Sequence, residues 1–169
     1  AEIASKVQQL LSNTQQTISD IYNDTREVIK STRIEIIDSV GLVAAVESMV
    51  RNYKGALERP EIIFSHNIKK RPMLPDAIAA NAYRIIQEAL LNAVKHADAS
   101  TITISLQLSG KRYSVVIADD GIGLSAKKGQ GIGLIDMRER ARTLNGGLIV
   151  EGGPGGGTKI SFSFLHPDS

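Results

Sequence analysis

The chain has 169 residues, 42% hydrophobic and 22% charged, with a net charge of +2 and neither cysteine nor tryptophan. That length builds one full core with some chain left for an appendage, in a composition typical of soluble globular proteins. The small charge makes no case for nucleic acid, sparse aromatics argue against base-stacking surfaces, and the missing thiols exclude a disulfide framework and thiolate metal sites.

No apolar run approaches the ~20 residues needed to span a bilayer, and Ala1–Lys30 is too polar for a signal peptide. The absent initiator Met reads as a fragment or a processed chain. A cytosolic compartment is compatible with all of this.

From Ala1 to about Asp38 the sequence lacks Pro and Gly and reads as one long helix, with a broad apolar stripe through Val7, Leu11, Ile18, Ile21 and Val28. A helix of about 35 residues would extend about 50 Å. That is more than a small domain can cover, so this segment is expected to pack on helices outside the chain or on a second copy. Gly41 punctuates, and Leu42–Leu57 resumes helical spacing through Val43, Val46, Met49, Val50 and Tyr53, up to Arg59-Pro60. Glu61–Ser65 is a short strand, and Lys69-Lys70-Arg71-Pro72 reads as a solvated basic loop.

Asp76–Ala97 starts after Pro75, has no internal Gly or Pro, and is rich in Ala, Leu and Ile, which predicts a helix. At about 100° per residue, Ala82, Tyr83, Ile86, Ala89, Leu90, Ala93, Val94 and Ala97 share one apolar face. The opposite face collects Arg84, Glu88, Asn92, Lys95 and His96, with Glu88 and Asn92 one turn apart. Alone, such a stripe is what a solvated helix face looks like.

Thr101–Leu108 alternates with period two, Ser109-Gly110-Lys111-Arg112 has hairpin chemistry, and Tyr113–Ala118 returns. A glycine-containing segment over 119–133 leads into a helix over Ile132–Leu144 with inward Leu134, Met137, Ala141 and Leu144, closed by Asn145-Gly146-Gly147. Leu148–Glu151 and Thr158–Phe164 are two last strands around a glycine-dense turn. Hairpin-linked strands with helices between others predict an α+β fold: a two-layer arrangement of a mixed, mainly antiparallel sheet with helices on one face.

Glycines cluster where the chain leaves a strand, at Gly121, Gly123, Gly129, Gly131 and Gly133. Residues without Cβ permit close backbone approach to a ligand, and a helix N-terminus after such a loop offers N–H groups to phosphate. The spacing matches neither the dinucleotide GxGxxG fingerprint nor a GxxxxGK[ST] loop. A lone glycine pair would be an ordinary turn; the combination is more specific. A helix with Glu88, Asn92, Lys95 and His96 is followed by Asp119-x-Gly121-x-Gly123, by Gly129-x-Gly131-x-Gly133, and by Gly155-Gly156-Gly157-Thr158.

In order and spacing these blocks resemble the GHKL ATP-binding fold, or Bergerat fold, across roughly residues 60–165. The stretches Gln87–Ala97 and Gly133–Arg140 are similar to one subfamily in particular, the sensor histidine kinases that partner NarL-type response regulators. Arg26–Ile29 and Leu42–Val46 look like the second dimerisation helix and connector of that subfamily. The resemblance divides the chain into residues 1–40, the second helix of a dimerisation hairpin whose first helix is absent, and residues 41–169, the ATP-binding catalytic domain.

The resemblance implies that Asn92 holds Mg²⁺ and that Glu88 orients water or acts as the base. It puts Lys95 and His96 near the phosphates, Lys95 being the preferred cation, and has Asp119 accept a hydrogen bond from the adenine amine. Gly121 and Gly123 would let the base slide along the backbone, Gly131 and Gly133 would begin the phosphate-facing helix, and Thr158 would complete the adenine side. The implied activity is transfer of the ATP γ-phosphoryl group to a histidine outside this chain and thence to a response regulator. The histidine would sit on a dimerisation helix of a homodimeric, cytoplasmic or membrane-attached sensor.

Asp120 stands where the family often has Asn and is expected to point away from the base. No stretch like Arg-Asp-Leu-His-Asp occurs, and of the three histidines His66 and His166 read as surface residues. Within the same fold the alternatives are a stand-alone anti-sigma-type Ser/Thr kinase, an ATPase motor or chaperone, which would need a long lid and a transducer domain, and a non-catalytic interaction module.

Overall fold

The structure, a computed structural model, describes residues 41–56, 59–69, 73–123 and 131–167. The long helix expected over 1–40, residues 70–72 of the expected basic loop and the segment 124–130, with Gly129, lie outside the described residues.

Helix α1 covers residues 41–56. The spacing of Val43, Val46, Met49 and Val50 puts them on one side, and all four are buried together with Leu42 and Ala45. Strand β1, Glu61–His66, pairs in parallel with β2, Thr101–Ser109. Parallel neighbours need a crossover, which helix α2, Asp76–His96, supplies. Asp76 in its first turn and Lys95 and His96 in its last complement the helix dipole.

The expected apolar face of α2 is buried from Ala82 to Ala97, except that Val94 is only partly covered. Burial extends further round than expected, to a fully buried Ile85. The reason is a second neighbour. Asn81 and Glu88 flank Ile85 on the same stripe, and both meet helix α3, Ile132–Thr143.

Strand β3, Arg112–Asp119, returns from β2 in an antiparallel hairpin with Ser109 opposite Arg112. Gly110 takes the first turn position with φ +59°, the conformation that favours glycine there. Strands β4, Leu148–Gly152, and β5, Thr158–Leu165, complete a sheet whose order among the described residues is β1-β2-β3-β5-β4, antiparallel except for β1–β2.

Ile102, Ile104, Leu106, Tyr113, Val115, Phe162 and Phe164 face the helices and form the core with them. Thr103, Ser105, Gln107, Ser114, Ser161 and Ser163 alternate onto the other face. Tyr113 stacks on Phe164 with ring centroids 4.9 Å apart, and its buried hydroxyl meets no hydrogen-bond partner among the described residues. Desolvation pushes that phenol above its ordinary pKa.

Helix α3 turns Met137 and Ala141 inward, with the capping Leu144 also buried and Leu134 partly so. It closes as a Schellman motif. Gly146 N–H donates to Ala141 O at 2.9 Å and Asn145 N–H to Arg142 O at 2.9 Å. Asn145, at φ +55°, takes the left-handed position, and Gly146 is needed for a different reason: a Cβ there would overlap the Ser163 carbonyl.

Candidate functional site

Three chain ends meet at one end of the sheet: the C-terminus of α2, the exit from β3 and the N-terminus of α3. The start of β5 lies alongside. Between them opens a cleft of about 380 Å³. Its floor is apolar, from Ala89, Ala93, Leu134, Met137, Val150 and Ile160, and its polar lining residues are Asn92, His96, Asp119 and Thr158. Apolar walls with a few convergent polar groups are the usual make-up of a small-molecule site.

Asp119 is the buried charged side chain among the described residues, 6% exposed at the end of β3. Its Oδ1 accepts the N–H groups of Gly121 at 3.0 Å and Thr158 at 3.1 Å, so the carboxylate is pinned between the exit of β3 and the entry to β5. Among the described residues both bonds fall on Oδ1, which leaves Oδ2 to accept from a ligand.

Glycines make the surrounding backbone close enough to do this. A Cβ at Gly121 would overlap the Ala97 carbonyl, and one at Gly157 would overlap the Asp119 carbonyl. Gly123, at φ +74°, packs against the Gly156 carbonyl. Ile122, between two of these glycines, donates its N–H to Ala97 O at 2.8 Å while its side chain stands 73% exposed at the cleft.

The adjacent Asp120 turns away. Its Oδ1 accepts the Ser100 and Thr101 amides at 2.8 and 2.9 Å, bracing the start of β2. The Thr101 amide above all, with the Ser100 amide added and desolvation opposing, holds its carboxyl below the ordinary aspartate range.

On α2, Asn92 and His96 line the cleft. Glu88, one turn before Asn92, lies behind the lining and against Gly133 of α3. Lys95 is exposed and is not part of the lining. Helical geometry accounts for the difference: His96 follows Asn92 by four residues and stays on the cleft side, whereas Lys95 is rotated the other way. Lys95 and His96 were both expected near the phosphates, with Lys95 preferred as the cation; of the two, His96 is in the cleft lining.

Gly131 is the N-cap of α3 and Gly133 its second residue; both line the cleft. Neither Gly131 nor an acidic residue in the first turn caps this helix from within. The positive end of α3 is therefore turned toward the cleft.

Of the expected residues, Asn92, His96, Asp119, Gly123, Gly131, Gly133 and Thr158 come together around the cleft, with Glu88 and Gly121 directly behind it. Sequence reasoning named Gly157 only within the run Gly155-Gly156-Gly157-Thr158, with no role of its own, and did not place the apolar floor in a site. For Gly157 a signal exists, as the last glycine of a run directly before Thr158. Val150 and Ile160 read only as strand residues.

Among the described residues no cluster of three acidic, His or Cys ligands could hold a metal alone. Glu88 and Asn92 nevertheless place a carboxylate and an amide oxygen one turn apart. Such hard oxygens suit a Mg²⁺ that arrives with phosphates and keeps much of its water. No described helix is long and apolar enough to cross a membrane. His66 is exposed and pairs with Glu47 at 3.5 Å, and His166 N–H donates to Lys111 O at 2.8 Å, both remote from the cleft lining.

Residues 78–168 match the family described as histidine kinase-, DNA gyrase B- and HSP90-like ATPase. The signal transduction histidine-protein kinase/phosphatase DegS of Brevibacillus brevis is 32% identical over 144 residues, 83% of this chain and 36% of that protein. The chain thus spans about a third of the length of that relative. Among solved structures, the blue-light activated histidine kinase EL346 of Erythrobacter litoralis superposes with a TM-score of 0.70 at 19% identity, over 89% of this chain and 51% of that one. The ATP binding domain of PrrB from Mycobacterium tuberculosis gives 0.53 at 22% identity, over 68% and 88%.

Proposed function

This chain belongs to the histidine kinase-, DNA gyrase B- and HSP90-like ATPase family and carries the ATP-binding catalytic domain of a histidine kinase, and we propose that it binds Mg²⁺·ATP in the cleft at Asp119 and donates the γ-phosphoryl group to a histidine outside this sequence. The observation that carries this reading is the Asp119 carboxylate, buried and held by two backbone amides at the end of an apolar slot. An acceptor fixed there suits the exocyclic amine of adenine, and Leu134, Met137, Val150 and Ile160 suit the faces of the base.

The triphosphate then runs from Asp119 toward Asn92 and the N-terminus of α3. Asn92 would hold Mg²⁺ through its amide oxygen, His96 would face the phosphates from the last turn of α2, and the first-turn amides of α3 would receive phosphate oxygens. Mg²⁺, when bound, neutralises charge on the transferring phosphates. The chain itself contributes positioning and exclusion of water, which is most of what phosphoryl transfer asks of a protein. Glu88 stands near enough to Asn92 to orient water or accept a proton from the attacking group.

Partners follow from the same reading. The acceptor would be a histidine on a dimerisation helix, residues 1–40 would form the companion helix in a cytoplasmic homodimer, and a NarL-type response regulator would take the phosphoryl group onward. Incubation with γ-labelled ATP separates the possibilities. The chain alone should acquire no acid-labile label on His66, His96 or His166, and a separately made histidine-bearing dimerisation helix should be labelled on its histidine. Acid-stable label on Ser or Thr would replace this reading with a Ser/Thr kinase, and label on a histidine of this chain would contradict it.

A further inference from the structure

Glu88 makes a contact that neither adenine recognition nor metal binding requires. A methyl group at Gly133 would overlap Glu88 Oε1 and crowd its Cδ and Cγ. The obstruction is a side chain of another helix, unlike that at Gly121 or Gly157, where backbone stands in the way. Gly133 is the second residue of α3, in a helix with no side-chain cap at Gly131 and no acidic residue in its first turn. A carboxylate brought there from α2 supplies the negative charge that the helix's own sequence omits.

We propose that Glu88 is a positioning residue that occupies the N-terminal turn of α3 as a surrogate anion and yields that place to the nucleotide's phosphates. Gly133 is glycine so that the carboxylate can enter. The proposal rests on the nucleotide reading above and deepens it: one positive helix end serves two anions in turn. Without nucleotide, Glu88 tethers α3 to the floor helix. With nucleotide, the carboxylate and the phosphates compete for the same potential, and a divalent cation relieves their repulsion. Glu88 thereby makes triphosphate binding depend on Mg²⁺, in addition to any direct metal ligation by Asn92.

The test is calorimetric titration of the full chain with adenosine and with a non-hydrolysable ATP analogue, each with and without Mg²⁺. Glu88→Gln keeps the size and removes the charge. It should tighten Mg²⁺-free binding of the ATP analogue several-fold, up to about tenfold, and leave adenosine unchanged. A purely structural Glu88 would not separate those ligands. An ATP-analogue affinity that is unchanged or weaker without Mg²⁺, with adenosine still bound, overturns the proposal and leaves the nucleotide reading standing. Loss of adenosine binding by the wild-type chain removes both.

A second pair of variants tests the steric half. Gly133→Ala should weaken the ATP analogue in the native background and have little effect beside Glu88→Ala, which vacates the space. Equal losses in the two backgrounds would show that Gly133 answers to something other than Glu88. Thermal melts of each variant establish that the comparison is between folded proteins.

Discussion

Two adjacent aspartates at the end of β3 are given different tasks by the amides they meet. Asp119 Oδ1 takes the amides that frame the cleft, Gly121 and Thr158, while Asp120 Oδ1 takes the amides of Ser100 and Thr101 at the head of β2. Those two amides hold the Asp120 carboxyl below the ordinary aspartate range. A folded-state value below the unfolded one means that its contribution to stability is complete above the ordinary aspartate pKa and is lost as pH falls through the lower folded value. Asp120→Asn should therefore lower the melting temperature at about pH 6, and the gap from wild type should close toward about pH 2. Melting curves across that range check it. A gap independent of pH would mean that the side chain's shape, not its charge, braces β2.

At the scale of elements, α2 and α3 both line the cleft, and the two helices differ in how much of their placement their sequences disclose. α2 announces itself through an Ala- and Leu-rich run with a long apolar face, and its polar stripe already contains Glu88 and Asn92. Asn92→Ala should leave the helix intact, because alanine is the better helix former, and should abolish most of the Mg²⁺ enhancement of ATP binding while adenine binding through Asp119 persists. Titrations with and without Mg²⁺ decide this. Equal enhancement in wild type and variant would assign the metal to other groups.

What α2 does not disclose is its second neighbour. Burial of Ile85 depends on where α3 lies, and that is a long-range contact with no local signature. α3 is less legible still. Its inward residues Met137, Ala141 and Leu144 follow helical spacing, but the reason for Gly133 is a side chain 45 positions earlier in the chain. The glycine run 155–157 was visible as a turn, whereas the specific demand at Gly157 comes from the Asp119 carbonyl across the sheet. Strand identity, hairpin pairing and the α+β class were legible because they follow alternation and turn chemistry.

Across the whole molecule, one sheet face is apolar and covered by helices while the other carries Thr, Ser and Gln, so the cleft forms at the sheet's end rather than on its open face. On the proposed reading the base of the nucleotide would lie toward β3 and β5 and its phosphates toward α2 and α3. That orientation rests on Asp119 reading adenine. Adenine offers an amine donor where guanine offers a carbonyl acceptor. A carboxylate at Asp119 should accept the first and repel the second. The most direct test is a calorimetric titration of the chain and of Asp119→Asn with non-hydrolysable ATP and GTP analogues in the presence of Mg²⁺. The wild-type chain should bind the ATP analogue and discriminate against the GTP analogue by at least about tenfold. Asp119→Asn should lose roughly 10- to 100-fold in ATP affinity, as expected for a charge-assisted hydrogen bond, while keeping its melting transition. Equal binding of the two analogues by wild type, or an unchanged ATP affinity in a folded Asp119→Asn, would contradict the assignment of the cleft as an adenine nucleotide site.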